Sequence, residues 1–422
     1  NLKGVQGLIS KYKTPEPVEK GILRAKYNVF CFKDGTVRFD MIDVPLTHFR
    51  PNEIGLSLEK AKKLGYVKDI YGNPLESPEQ VLELKTQDVI PSESFGSYMI
   101  RCANFIDDLL EKYYKLPPYY CAAQKEDLIG HLAIGLAPHT SGGILCRIIG
   151  FTPAAVCFAH PFFHAAKRRN CDGDEDCMML LLDGFLNFSR SFLPEKRGGL
   201  MDAPLVLSTR VNPREIDKEA LNVDVLSKYP LEFYEATLKG TDPKEILPHI
   251  GTIAGRLDKP EQFEGFLFTH DTASIWEGPL CSMYKKLETM IEKMTCQLDL
   301  AKTIRAVDES EVASRVIETH FLPDMVGNLK SFSTQSLRCT TCGTKYRRMP
   351  LKGVCIKNNC GGKLNMTVHE KSVKKYLDVT KAITKKYRVK EYTRQRIWIL
   401  ENSMNSVFEG DKVKKCKLDD FF

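Results

Sequence analysis

The spacing of apolar residues changes several times along the chain. Residues 21–32 and 36–42 are rich in β-branched and aromatic side chains on either side of Asp34-Gly35, which predicts two strands joined by a hairpin turn. Residues 56–64 have helical spacing, and Ser77 followed by Pro78 predicts a capped helix start. Residues 98–114 place Ile100, Phe105, Leu109 and Leu110 on one helical face. From 133 to 207, short apolar runs are broken by Gly and Pro, the pattern of the short strands of a barrel. Leu287, Met290, Ile291, Met294, Leu298 and Ala301 form a single stripe over 286–307, predicting an amphipathic helix with a partner helix at 311–321. A basic helix at 372–387, with Val373, Tyr376, Leu377, Ile383 and Tyr387 as its apolar positions, and a further element at 391–401 follow. The longest apolar stretch, 142–163, is interrupted by Arg147, Pro153 and His160 and reads as buried core, not a membrane span. The pattern as a whole predicts an α+β fold.

The composition is that of a soluble globular protein, and 422 residues suffice for several domains. The net charge of +7 conceals an asymmetry: residues 330–422 carry 22 Lys and Arg against 8 Asp and Glu, which leaves −7 for the rest. A basic C-terminal quarter suits a nucleic-acid surface, or else a solvated helix face. The 14 cysteines are scattered and only four have metal-like spacing. That favours a reducing, cytoplasmic setting over a disulfide framework. The first residue is not Met and no signal peptide is evident, so the expectation is either a processed start or a piece of a longer chain.

The densest acidic cluster is Asn170-Cys-Asp-Gly-Asp-Glu-Asp176. In extended chain, Asn170, Asp172 and Asp174 share one side. Gly173 permits a turn that would bring their oxygens to one hard cation such as Mg²⁺. A solvated acidic turn is the plainer reading, but the flanking runs at 154–163 and 178–182 are apolar, and dense charge between buried segments calls for a partner ion. An EF-hand is excluded, because Cys177 stands where its Gly is required and Asp183 where its Glu is. Lys167, Arg168 and Arg169 precede the cluster. Carboxylates for metal beside cations for phosphate are what phosphoryl-transfer chemistry needs. Lys196 and Arg197, in a basic Gly-containing loop, are further candidate contacts to a DNA backbone. His160 and His164 are four apart but lack an evident third ligand, so they are expected to pack or hydrogen-bond.

Residues 158–177, FAHPFFHAAKRRNCDGDEDC, resemble the catalytic motif of the large subunit of archaeal family-D DNA polymerases. The resemblance continues through 182–189 and 194–207, and covers the earlier stretches 135–143 and Asp43-Val-Pro-Leu-Thr-His48. The Asp-Gly-Asp core and His160-Pro161 also resemble the metal-binding loop of multisubunit RNA polymerases, which carry a third Asp where this chain has Asn170. The family resemblance implies a double-psi β-barrel, with Asn170, Asp172 and Asp174 as catalytic Mg²⁺ ligands. It implies template-directed DNA synthesis by the C-terminal, catalytic portion of the large subunit. It further implies a second barrel upstream, a small subunit with 3′–5′ exonuclease activity, primer-template DNA, primase and a sliding clamp as partners, and a cytoplasmic, nucleoid-associated location.

Cys339-Thr-Thr-Cys342 and Cys355-Ile-Lys-Asn-Asn-Cys360 have the spacing of a Cys₄ zinc ribbon, a closed and therefore structural site. Lys345, Arg347, Arg348, Lys352 and Lys357 decorate it. Leu418, Phe421 and Phe422 resemble a sliding-clamp-binding box, with Lys415 where Gln is expected. The expected organisation is a β-rich segment at 1–50 joining the barrel, a helical and loop region at 51–130, the barrel at 131–260 and helical scaffold at 261–330. The zinc ribbon follows at 331–370, a basic helical region at 371–408 and a clamp-binding tail at 409–422. The rival reading is a non-catalytic DNA-binding and assembly module built on the zinc ribbon.

Overall fold

The computed structural model describes residues 17–32, 34–138, 140, 142–170, 173–189, 205–268 and 274–408. The chain divides into two compact units, 1–281 and 282–422.

The first unit is built on a closed barrel of six strands: β1 (Phe39–Pro45), β2 (Asp88–Ile90), β3 (Leu132–Leu136), β4 (Gly142–Ile148), β5 (Val156–Ala159) and β6 (Glu175–Leu180). They run in the order β2-β5-β1-β6-β3-β4, and β2 pairs with β4 as well as β5, which closes the ring. β1 is central to the site: it lies parallel to β5 and antiparallel to β6. A short strand, β7 (Val206–Ser208), adds in parallel to β4. Closure leaves no barrel edge unpaired and packs the inward side chains as a core.

Helices cover the barrel. α1 (Val18–Tyr27) lies where the sequence predicts a strand. The reason is an inverted amphipathic face. Its buried residues are Lys20, Leu23 and Arg24, while Val18 and Ile22 face solvent. Lys20 Nζ donates to the Leu186 carbonyl and to Asn187 Oδ1, and Arg24 Nη2 donates to the Gly35 carbonyl. The Asp34-Gly35 turn does form, with the Gly35 N–H donating to the Phe32 carbonyl. α2 (Leu58–Lys63) starts at Ser57, whose hydroxyl accepts from the Lys60 N–H. The helix expected after Ser77 is instead a turn: the Ser77 hydroxyl accepts from the Glu79 N–H, and the Gln80 side chain satisfies the N–H groups of Glu76 and Ser77. α3 (Glu93–Asp108) buries Phe95, Met99, Cys102, Phe105 and Ile106. Two shorter helices, α4 (Pro161–Ala166) and α5 (Leu181–Asn187), bracket β6 in sequence.

In the second unit α6 (Met290–Thr303) begins with a reciprocal capping box between Thr289 and Glu292. α7 (Glu309–Val316) and α8 (Leu322–Thr334) are joined by one π-helical stretch, Ile317–Phe321. The basic segment breaks after Val373, and its main helix is α9 (Leu377–Lys386), followed by α10 (Glu391–Phe408). Their core includes Leu298, Phe321, Met325, Ile383 and Met404. A small three-stranded sheet carries the ribbon: β8 (Leu337–Cys339) pairs with β9 (Lys345–Tyr346) and β10 (Leu364–Asn365). No helix among the described residues is long and apolar enough to cross a membrane.

Candidate active site and metal centres

The acidic segment is the connection between α4 and β6. α4 starts at His160, whose Nδ1 accepts from the Phe162 N–H, with Pro161 at the first helical position. It packs on β3 through Gly135, where an added Cβ would lie 2.7 Å from Phe163 Cζ. α4 ends at Lys167 in a Schellman arrangement: the Arg168 N–H donates to the Ala165 carbonyl and the Arg169 N–H to the His164 carbonyl. The left-handed position of that motif, normally glycine, is Arg168 with φ +60°.

Asn170 is exposed, and Gly173 has φ +113°, a conformation open to glycine alone. Asp174 follows with its side chain 41% exposed. Its carbonyl accepts from the Asp43 N–H at 3.1 Å, which continues the β1–β6 ladder by one residue. Asp174 joins no group of three metal-capable side chains among the described residues. Asp172, Lys196 and Arg197 lie outside the described residues, as do Leu418, Phe421 and Phe422.

Beneath the loop lies a buried cluster that sequence reasoning did not assign. Asp43 on β1, His164 on α4 and Asp176 on β6 bring ligand atoms within 4.8 Å of one another. Asp43, His164 and Asp176 are each at most 2% exposed. The Lys167 ammonium sits among them. It pairs with Asp176, lies 3.3 Å from Asp43 Oδ2 and 3.4 Å from His164 Nδ1, and rests 4.6 Å from the Phe163 ring centre. Lys167, expected at a phosphate, is therefore turned inward and only 6% exposed. Arg169 is half-buried: its Nε lies 3.5 Å from Asp176 Oδ1 and its Nη1 3.6 Å from Asp174 Oδ2. Of the three predicted cations among the described residues, only Arg168 is exposed.

The protonation pattern follows from burial and partners. Burial and the adjacent Lys167 hold His164 below its ordinary value against the pull of Asp43. Its Nε2 lies 3.1 Å from the Val44 carbonyl, and its Nδ1 lies 3.1 Å from Asp43 Oδ2 and 3.4 Å from Lys167 Nζ. Burial pushes the Asp43 carboxyl up, but His164 and Lys167 outweigh it and the net direction is down. His160, fully buried, is pushed down to about 3 by burial and by its histidine neighbours. Both histidines hydrogen-bond, but the third ligand that the sequence did not show does exist for His164, in Asp43 and Asp176. Asp43 lay within a recognisable stretch of sequence, and its signal was a carboxylate in a strand that is otherwise apolar on its buried side.

In the second unit the four cysteines converge. Cys339 and Cys360 Sγ are 3.9 Å apart and Cys342 and Cys355 Sγ 3.4 Å, with all four sulfurs within 4.8 Å. Four thiolates about 2.3 Å from one tetrahedral ion would lie about 3.8 Å apart, so the cluster could hold a metal ion of that kind. Gly362 permits this closeness, because a Cβ there would stand 2.6 Å from Cys339 Sγ. Lys345, Arg347, Arg348, Lys352 and Lys357 are all exposed around it. Several lysines of the helical region are spoken for in ion pairs: Lys374 with Glu370, Lys381 with Glu401, Lys386 with Asp299.

Comparison with known proteins bears on both units. Residues 1–293 match the DNA polymerase II large subunit DP2 catalytic domain. Relatives named DNA polymerase II large subunit match over the whole chain, with 60% identity in Methanocella arvoryzae, 58% in Methanosarcina barkeri and 56% in Archaeoglobus fulgidus. The chain spans 36–37% of the length of these relatives.

Proposed function

Because the chain belongs to the DNA polymerase II large subunit family, we propose that it carries part of the catalytic centre for template-directed nucleotidyl transfer to a DNA primer end. The observation that carries this reading is the placement of Asp174. Its half-exposed carboxylate sits at the end of a closed barrel while its backbone is fixed to β1, and Arg168 projects from the same connection. The six-strand closure is compatible with the double-psi barrel that the family resemblance implies.

In this reading Asn170, Asp172 and Asp174 hold Mg²⁺. Oxygen donors on a Gly-turned loop suit a hard cation. Bound there, the metal supplies charge stabilisation for the attacking and leaving oxygens. Arg168, with Lys196 and Arg197, would neutralise phosphates of primer or nucleotide. Lys167 has no such role, for the reasons of placement given above. The Cys₄ cluster holds a structural zinc, and its exposed cations contact the DNA backbone.

Whole-protein properties enter as part of the same proposal: primer-template DNA as substrate, a small subunit bringing 3′–5′ exonuclease activity, and primase and a sliding clamp as further partners. Leu418, Phe421 and Phe422 would serve the clamp. The rival reading, a non-catalytic DNA-binding and assembly module, draws support from the exposed cations of the ribbon. Primer extension by the full-length large subunit with its small subunit separates the two. Loss of synthesis with retained DNA binding in Asp174→Asn supports catalysis; wild-type synthesis in that variant rejects it.

A further inference from the structure

We infer that Lys167 is a positioning residue: its ammonium is the resident cation of the Asp43–His164–Asp176 cluster and closes the neck of the acidic loop, holding Asp174 in register with β1. This rests on the polymerase reading proposed above, since it assigns a role to the base of that site.

The first argument is topological. Lys167 is the last residue of the α4 turn and Asp176 the second residue of β6, so residues 168–175 run between them. The Lys167–Asp176 pair joins the two ends of that stretch directly. Asp43 connects the clamp to the loop's functional end. Its carboxylate faces Lys167, while its N–H donates to the Asp174 carbonyl at 3.1 Å. A shift of Lys167 is thus felt at Asp174 through one residue.

The second argument is charge balance. Two buried carboxylates, Asp43 and Asp176, face two cations, Lys167 and Arg169. The ligand atoms are close enough for a metal, but a divalent ion added to this balanced set would leave buried positive charge uncompensated. It would have to expel Lys167, which Phe163, Asp43 and Asp176 enclose. The cluster is a metal-like site whose cation is built into the chain.

The test uses Lys167→Met and the charge-balanced double variant Lys167→Met/Asp176→Asn, made in the full-length large subunit of the assembled polymerase. The single variant leaves buried carboxylate uncompensated and is expected to lower the melting temperature. The double variant should recover it. If Lys167 positions the loop, the double variant still shows amide exchange across 168–175 and a Mg²⁺ midpoint for primer extension each raised about tenfold or more, with the nucleotide KM unchanged. Wild-type exchange and a wild-type Mg²⁺ midpoint in the double variant would reduce the clamp to a fold-stabilising pair and overturn the inference. So would elemental analysis finding, besides the ribbon zinc, a tightly held metal that His164→Gln abolishes. If the unmodified polymerase extends no primer at all, the functional reading fails, and the exchange measurement alone decides the clamp.

Discussion

The Asp43 N–H donates to the Asp174 carbonyl across 3.1 Å, so the main chain fixes this acidic residue, while its half-exposed side chain faces Arg169 at 3.6 Å. Asp174→Asn should therefore fold with a stability within about 0.5 kcal/mol of wild type, as for an ordinary surface substitution. Metal stabilisation of developing charge is worth several kcal/mol, so primer extension should fall by about two orders of magnitude or more. Denaturant unfolding and single-turnover extension check the two halves.

Arg168 occupies a left-handed position that glycine would fill without strain. Relief of that strain should make Arg168→Gly neutral or stabilising by about 1 kcal/mol. The variant keeps the helix-ending hydrogen bonds, which are backbone to backbone. Any loss of nucleotide or DNA affinity then reports the guanidinium alone. Thermal unfolding paired with DNA titration at two salt concentrations measures both, and an unchanged salt slope would show that Arg168 touches no phosphate.

Asp183 is fully buried, and burial pushes its carboxyl up to about 6 against the Val37 N–H and the Asn187 amide, which favour the charged form. In the unfolded chain it titrates near 3.9. The folded state thus holds the proton more tightly. Stability contributed by the neutral acid is present below pH ~4 and lost as pH rises to ~6, on the order of 3 kcal/mol in total. Urea unfolding across that window should show a downward slope in wild type that is reduced in Asp183→Asn.

The ribbon is local and should fail locally. Chelation, or Cys342→Ser, is expected to release one zinc and unfold the small sheet of β8, β9 and β10 while the barrel stays folded. Gly362→Ala is the sharper test, because it removes no ligand yet puts a Cβ 2.6 Å from Cys339 Sγ. It should weaken zinc retention in a competition titration with a chromogenic chelator, and Gly361→Ala is no control for it, because φ +64° strains that position independently.

Local features were readable without coordinates. The Cys₄ set is contained in residues 339–360 and needs only two turns to converge. The α3 and α6 stripes follow from helical periodicity, and the family resemblance rested on a contiguous run of residues. In each case the interaction spans a few residues, so spacing alone specifies it.

Long-range pairing decided the rest. Barrel closure depends on β2, three residues long, pairing with two strands far away in sequence. α1 formed where a strand was expected, and Lys20 and Arg24 on it found buried carbonyl and amide partners that no hydropathy scale anticipates. Lys167 looked like its neighbours Arg168 and Arg169, yet carboxylates from β1 and β6 drew it inside. A charged side chain is buried when tertiary structure supplies its counter-charge, and of the two that meet Lys167, Asp43 lies 124 residues away.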